Sequence, residues 1–202
     1  MKHVMFDLET MSSDDDAAIA SIGAVYFDPA TGELGSELYL TLDLGKQTGL
    51  RHFDGRTVAW WLAQPDEARM ALARENEGRI PSDVCQLFAA FYHGAKNLWS
   101  HDFDQRVLRS FYRAFGVTGA GATRYGNIPW HYREGRDIRT LNAVAHAVGY
   151  KVSPDVGSVE RVLGSDLIPH HALGDAKRQA IYCSEMWKHI TEMKHRMRSL
   201  ER

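Results

Sequence analysis

Val4-Met5-Phe6-Asp7-Leu8-Glu9-Thr10 sets the frame for the rest of this chain. It is a short apolar run that delivers two carboxylates, one residue apart, almost at the N-terminus. In a strand the side chains of Asp7 and Glu9 point to one face, because the side-chain period is two, while Phe6 and Leu8 point to the other. Two carboxylates on one face repel unless something cationic lies between them. Mg²⁺ or Mn²⁺ suits that place, taking hard oxygen ligands while keeping positions open for water and phosphate oxygens. The pair alone is weak evidence, since a chain with 26 acidic residues yields about one Asp-x-Glu by chance, and a solvated strand end reads the same way.

Composition narrows the classes. The chain has 202 residues, 44% hydrophobic and 25% charged, which predicts a single domain over residues 1–202 with a real core. A disordered chain and a membrane protein are both excluded by this balance. The first apolar run is too short for a signal peptide and no stretch approaches a spanning helix, so a cytoplasmic protein without a membrane partner is expected. Cys85 and Cys183 lie far apart, indicating neither a disulfide framework nor a zinc site. The net charge of −2 argues against a broad basic surface for nucleic acid. It leaves room for a strand end held through metal ions at an acidic site.

Beyond Thr10, the run Asp14-Asp15-Asp16 reads as a solvated turn, and residues 18–27 as a buried strand rich in small and branched side chains. Residues 37–42 alternate with Leu38, Leu40 and Leu42 inward, so three antiparallel strands open the chain. Two short helices are predicted around 57–62 and 67–74, and a third from Pro81 to Phe91. Lys96 to Ser100 reads as a strand ending in His101-Asp102-Phe103-Asp104. There it hands over to a helix carrying Val107, Leu108, Phe111 and Phe115 at helical spacing. Strand ends are where α/β sheets build sites. Residues 116–129 form a Gly-rich surface loop, 130–136 a further strand, 137–148 a helix and 151–165 another loop. A long helix runs from His171 towards the C-terminus.

Just before that helix stands Ile168-Pro169-His170-His171-Ala172-Leu173-Gly174-Asp175-Ala176. A spacing of five would set His170 and Asp175 roughly 140° apart on one helix, so His170 belongs to the preceding loop and Asp175 to the helix. The division suits a rigid metal anchor and a movable base that takes a proton from water. A pair of imidazoles on a solvated loop is the bland alternative.

In this order, Asp-x-Glu on the first strand, Phe-Asp at a central helix and His-x-Ala-Leu-x-Asp-Ala at the last helix resemble the DEDDh branch of the 3′→5′ exonucleases, a ribonuclease H-like family. Asp7 to Met11, Thr57 to Leu62, Arg136 to Leu141 and His170 to Ala176 look like its phage and bacterial members, which include exodeoxyribonuclease VIII-like proteins and a mycobacterial 3′→5′ exoribonuclease. The resemblance spans nearly the whole chain. It implies an α/β fold with a central mixed sheet of about five strands, three antiparallel first, flanked by helices. It also implies that Asp7, Glu9, Asp104 and Asp175 bind two Mg²⁺ ions, which Mn²⁺ can replace, and that His170 is the general base. Asp102 competes with Asp104, the family pattern favouring the acid after Phe103. His171 competes with His170, at the position where the sister branch has tyrosine.

Around that core, Leu8 would wedge against the terminal base and Thr10 offer a hydroxyl or N–H, although alternation makes Leu8 equally a core residue. Trp60 and Trp61 are candidate stacking platforms, with Trp61 counted among the substrate contacts; adjacent residues on a helix cannot share a face, so at least one packs inside. Asp137 and Arg139 brace the site or form an ordinary salt bridge, and Arg139 is a candidate phosphate contact. The basic C-terminal end complements a helix dipole. The expected partners are single-stranded DNA or RNA 3′ ends, with a homodimer also implied by the resemblance. Two other classes fit the same residues: an idle nucleic-acid-binding module, and a phosphodiesterase of small nucleotides or oligonucleotides. All five site residues are assignable, which favours an active exonuclease.

Overall fold

The opening run is a strand, and it lies in the middle of everything that follows. The computed structural model describes residues 1–74, 78–116, 128–151 and 170–200. The loops read at 116–129 and 151–165 therefore lie almost wholly outside the described residues. β1 (His3–Thr10) pairs antiparallel with β2 (Ile19–Phe27), and β2 antiparallel with β3 (Leu34–Thr41). On its other side β1 runs parallel to β4 (Asn97–Ser100), which runs parallel to β5 (Gly135–Asp137). Among the described residues the strands form one mixed sheet in the order β3-β2-β1-β4-β5. This is the α/β arrangement that the sequence predicts, antiparallel meander first.

The period of two in β1 assigns its side chains to opposite layers. Val4, Phe6 and Leu8 join a core built with α3 (Pro81–Tyr92) and α4 (Asp102–Phe115), through residues such as Phe88, Leu108 and Phe111. Met5 faces the other way, against Ala176, Ala180, Cys183 and Met186. These belong to the long last helix, whose described span is Ala172–Leu200 and which follows α5 (Ile138–Ala147); we call it α6. Burying a side chain such as Phe6 stabilises the fold by about 1.5–3 kcal/mol. A third, smaller cluster packs Trp61 and Ala68, from α1 (Gly55–Leu62) and α2 (Asp66–Arg74), on Met11, Ala18 and Ala20. None of the described helices is long and apolar enough to cross a membrane.

Local chemistry explains where the helices begin. Asp54 caps α1 by accepting from the Arg56 N–H, and Pro81 occupies the first turn of α3, where its missing donor costs nothing. Asp137 caps α5, accepting from the backbone N–H groups of Arg139 and Thr140. The strand predicted over residues 130–136 is displaced: β5 starts only at Gly135. Trp130 is fully buried, with ring contacts to Phe88 and Tyr112 at 6.4 and 5.6 Å. A large indole gains more from that burial than from a place on a sheet edge.

One position in β2 governs how closely α6 approaches the sheet. Gly23 is paired with Asp7, and a Cβ there would stand 2.1 Å from the Leu173 nitrogen and 2.2 Å from the Ala172 carbonyl carbon. The obstacle is backbone, which cannot swing aside like a side chain. Gly23→Ala is therefore expected to destabilise the protein by about 1–3 kcal/mol. For a chain of this size that lowers the melting temperature by about 2–12 °C. Calorimetry showing no loss would contradict the close approach.

Candidate active site

The alternation that sends Phe6 and Leu8 into one core leaves Asp7 and Glu9 on the face that α6 covers. Asp175 lies in the first turn of α6, just beyond the two residues that touch Gly23. Carboxylate oxygens of Asp7, Glu9 and Asp175 all lie within 4.8 Å of one another. Residues 7 and 175 thus meet only through the fold.

Asp104 comes from a third direction. β4 ends at Ser100 beside β1, and the chain turns at once into α4, so Asp104 falls in its first turn and only 4% of its surface is exposed. Asp102, its competitor in the sequence, is exposed and engaged elsewhere: it accepts from Arg106 Nε at 2.9 Å, and Arg106 also pairs with Asp15. Asp15 belongs to the predicted solvated turn, whose neighbour Asp14 meets His52 at 3.0 Å.

The site is electrostatically unfavourable to its own carboxylates. Burial, then the charges of Asp104 and Glu9, hold the Asp7 carboxyl well above the usual range; a hydrogen bond from Gln179 and the charge of Arg178 offset part of this. Burial likewise pushes Asp104 up to about 7, against backbone hydrogen bonds and the Arg139 charge. Like charges this close, partly out of water, favour protonation or a bound cation. An oxygen-only donor set of this kind fits a hard divalent ion such as Mg²⁺ or Mn²⁺.

His170 and His171 part company. His171 is stacked on Tyr39 with ring centroids 4.3 Å apart, and its Nδ1 accepts from the Gly174 N–H at 3.3 Å, which commits it to the start of α6. His170 has φ of 55°, a left-handed conformation uncommon outside glycine and characteristic of functional sites. Its ring stands edge-on to Trp60 at 4.8 Å and to Trp61 at 6.1 Å. Burial, then the nearby Arg178 charge, lower its pKa, so at neutral pH the imidazole is free to accept a proton.

A cleft of about 250 Å³ runs alongside, lined by Leu8, Glu9, Thr10, Trp60, Trp61 and Phe103 among others. The two tryptophans differ sharply within it. Trp61 is 3% exposed and its Nε1 donates to the Thr10 carbonyl at 3.0 Å, so it chiefly fixes the end of β1, whereas Trp60 is 45% exposed. The Thr10 hydroxyl donates to the Ser12 carbonyl, and Leu8 is 6% exposed. Arg139 is exposed, near enough to Asp104 for its charge to lower that carboxyl, while Asp137 is occupied as the α5 cap. Two residues escaped the sequence reading. Arg178 pairs with Asp175, and Gln179 Nε2 donates to Asp7 Oδ1 at 2.7 Å. Their spacing from Asp175, three and four residues along one helix, was the available signal.

Known proteins resemble this chain in sequence and in fold. Residues 2–187 match the model of the 3′-5′ exoribonuclease Rv2179c-like domain. An exodeoxyribonuclease of Enterobacteria phage T4 is 31% identical over 156 residues, covering 67% of this chain and 68% of that protein. Among solved structures, Exonuclease X in complex with 5′-overhanging duplex DNA aligns with a TM-score of 0.53 at 18% identity, over 91% of this chain and 90% of that one. E. coli Exonuclease I in complex with an oligonucleotide aligns with a TM-score of 0.59 at 16% identity, over 96% of this chain and 41% of that longer one. The two structures share the ribonuclease H-like fold with this chain, and the matched model spans every residue of the carboxylate cluster: the chain belongs to the family of the 3′-5′ exoribonuclease Rv2179c-like domain.

Proposed function

We propose that this chain is a metal-dependent 3′→5′ exonuclease, with residues 1–202 as one catalytic domain, that releases nucleoside monophosphates from single-stranded DNA or RNA ends. The observation that carries the reading is the meeting of Asp7, Glu9 and Asp175 oxygens within 4.8 Å, with Asp104 close enough to raise Asp7. Those four carboxylates would hold two divalent ions, Mg²⁺ or Mn²⁺. Bound there, the ions would supply Lewis acidity for the attacking water and for the leaving 3′-oxygen. His170, neutral and in left-handed backbone just before α6, takes the proton of that water at an imidazole nitrogen. The water oxygen bonds to phosphorus, the P–O3′ bond breaks, and the 3′-oxygen takes a proton from solvent, so that the shortened strand leaves with a 3′-hydroxyl. Exposed Trp60 and the cleft beside Leu8 and Thr10 would receive the terminal nucleotide, and exposed Arg139 would meet phosphate. The implied homodimer is readable by light scattering on the purified protein.

Two measurements test this. In a time course with 5′-labelled single-stranded DNA and RNA of equal sequence, a ladder shortening from the 3′ end should require Mg²⁺ or Mn²⁺ and stop with chelator. Asp104→Asn should abolish it, and His170→Ala should slow it about 10²–10⁴-fold. The faster strand names the preferred sugar; no ladder on either strand would refute the proposal.

The second concerns metal removal. A carboxyl whose folded pKa is raised stabilises the fold fully below its unfolded pKa, and that contribution is lost as pH rises through the folded value. With Asp104 raised to about 7, the metal-free protein should lose stability between about pH 4 and pH 7. In chelator, the melting temperature of Asp104→Asn should match wild type near pH 4 and exceed it at pH 8. Mg²⁺ should narrow the gap at pH 8 by stabilising wild type. Equal melting temperatures at pH 8 in chelator would show that Asp104 carries no uncompensated charge.

A further inference from the structure

Gln179 does something the carboxylates cannot do for themselves. It stands four residues after Asp175 on α6, so the two side chains share a helix face. Its Nε2 donates to Asp7 Oδ1 at 2.7 Å, across 172 residues of sequence. The amide orientation follows from the reading of Asp7 as a metal ligand, since a carboxylate that binds a cation is ionised and only accepts. The other end of the amide is unusual: Gln179 Oε1 is buried with no hydrogen-bond partner among the described residues. Among the described residues no second bond holds the amide in place, so its contact with Asp7 is what defines it. Leaving a buried carbonyl unpaired costs stability. A helix that needed only packing at this position would do better with an apolar side chain.

We infer that Gln179 is a positioning residue that ties Asp7 to α6 and fixes which of its oxygens faces the metal ions. The inference rests on the reading of Asp7 as a metal ligand. One carboxylate oxygen is held by the amide, leaving Oδ2 and the remaining lone pair of Oδ1 as ligand positions. Because the donor sits on the helix that also carries Asp175, the ligands from the first strand and the last helix keep one separation instead of spreading apart under mutual repulsion. An amide suits this place where a cationic donor would not. A lysine could make the same bond, but its charge would compete with the ions for the cluster.

The test is direct binding of Mn²⁺, followed by electron paramagnetic resonance, to wild type, Gln179→Met and Asp7→Asn, with melting temperatures recorded in chelator. Gln179→Met is expected to weaken Mn²⁺ binding about 10–100-fold. The Mg²⁺ concentration for half-maximal cleavage should rise by a similar factor, with kcat largely recovered at saturating Mg²⁺. Its melting temperature in chelator should stay close to wild type. Weakened binding in Asp7→Asn together with unchanged binding in Gln179→Met overturns the role of Gln179 alone. Unchanged binding in both overturns the metal-site reading and this inference with it. Should Gln179→Met fail to fold, Gln179→Asn, which withdraws the same amide by one methylene, is expected to show the same loss of affinity, and wild-type affinity in that variant would overturn the inference.

Discussion

Three carboxylates meet in this protein because one helix backbone is allowed to touch one strand backbone. At Gly23 the first turn of α6 comes so near β2 that even a methyl group would overlap Ala172 and Leu173. Asp7 is the strand partner of Gly23, and Asp175 follows two residues after the contact. The distance between the first and last acids of the site is therefore set by backbone packing and not by attraction between them, which their charges would oppose.

The rest of the site manages that opposition. Arg178 pairs with Asp175, Arg139 lowers Asp104, and Gln179 holds Asp7. These contacts offset burial and repulsion incompletely, since Asp7 and Asp104 still lie well above ordinary carboxylates. A cluster left electrostatically hungry by its own fold is suited to divalent cations, whose binding energy would compensate for the strain of bringing the acids together. Apolar packing provides the rigidity this requires, with Val4, Phe6 and Leu8 anchored in one core and Met5 in the other.

Neighbouring residues of the same type are divided by the same logic. Trp61 is sealed against β1 and bonds the Thr10 carbonyl, while Trp60 is left exposed beside His170. His171 spends its ring on Tyr39 and its Nδ1 on the start of α6, which releases His170 from any structural duty of that kind. Asp102 goes to a surface ion pair and Asp104 inward. In each pair one member is taken up by a contact elsewhere, which leaves its neighbour for the site or the cleft beside it.

Much of this was legible in the sequence because it depends on local periods. Alternation in residues 4–10 set Asp7 and Glu9 on one face, the apolar spacing after Asp104 marked a helix, and the five-residue gap from His170 to Asp175 placed one in a loop and the other in a helix. The antiparallel meander and the mixed sheet followed from strand patterns and the family resemblance. Tertiary structure decided the rest. A pattern cannot say which of Trp60 and Trp61 is buried, because either face of an amphipathic helix end can be turned inward until a partner is present. The strand predicted at Trp130 failed because a pocket between Phe88 and Tyr112, assembled from distant segments, took the indole. Gly23 and Gln179 carry no motif: their importance lies in what they touch across as many as 172 residues of chain, and contact at that range exists only once the sheet and the last helix have closed on each other.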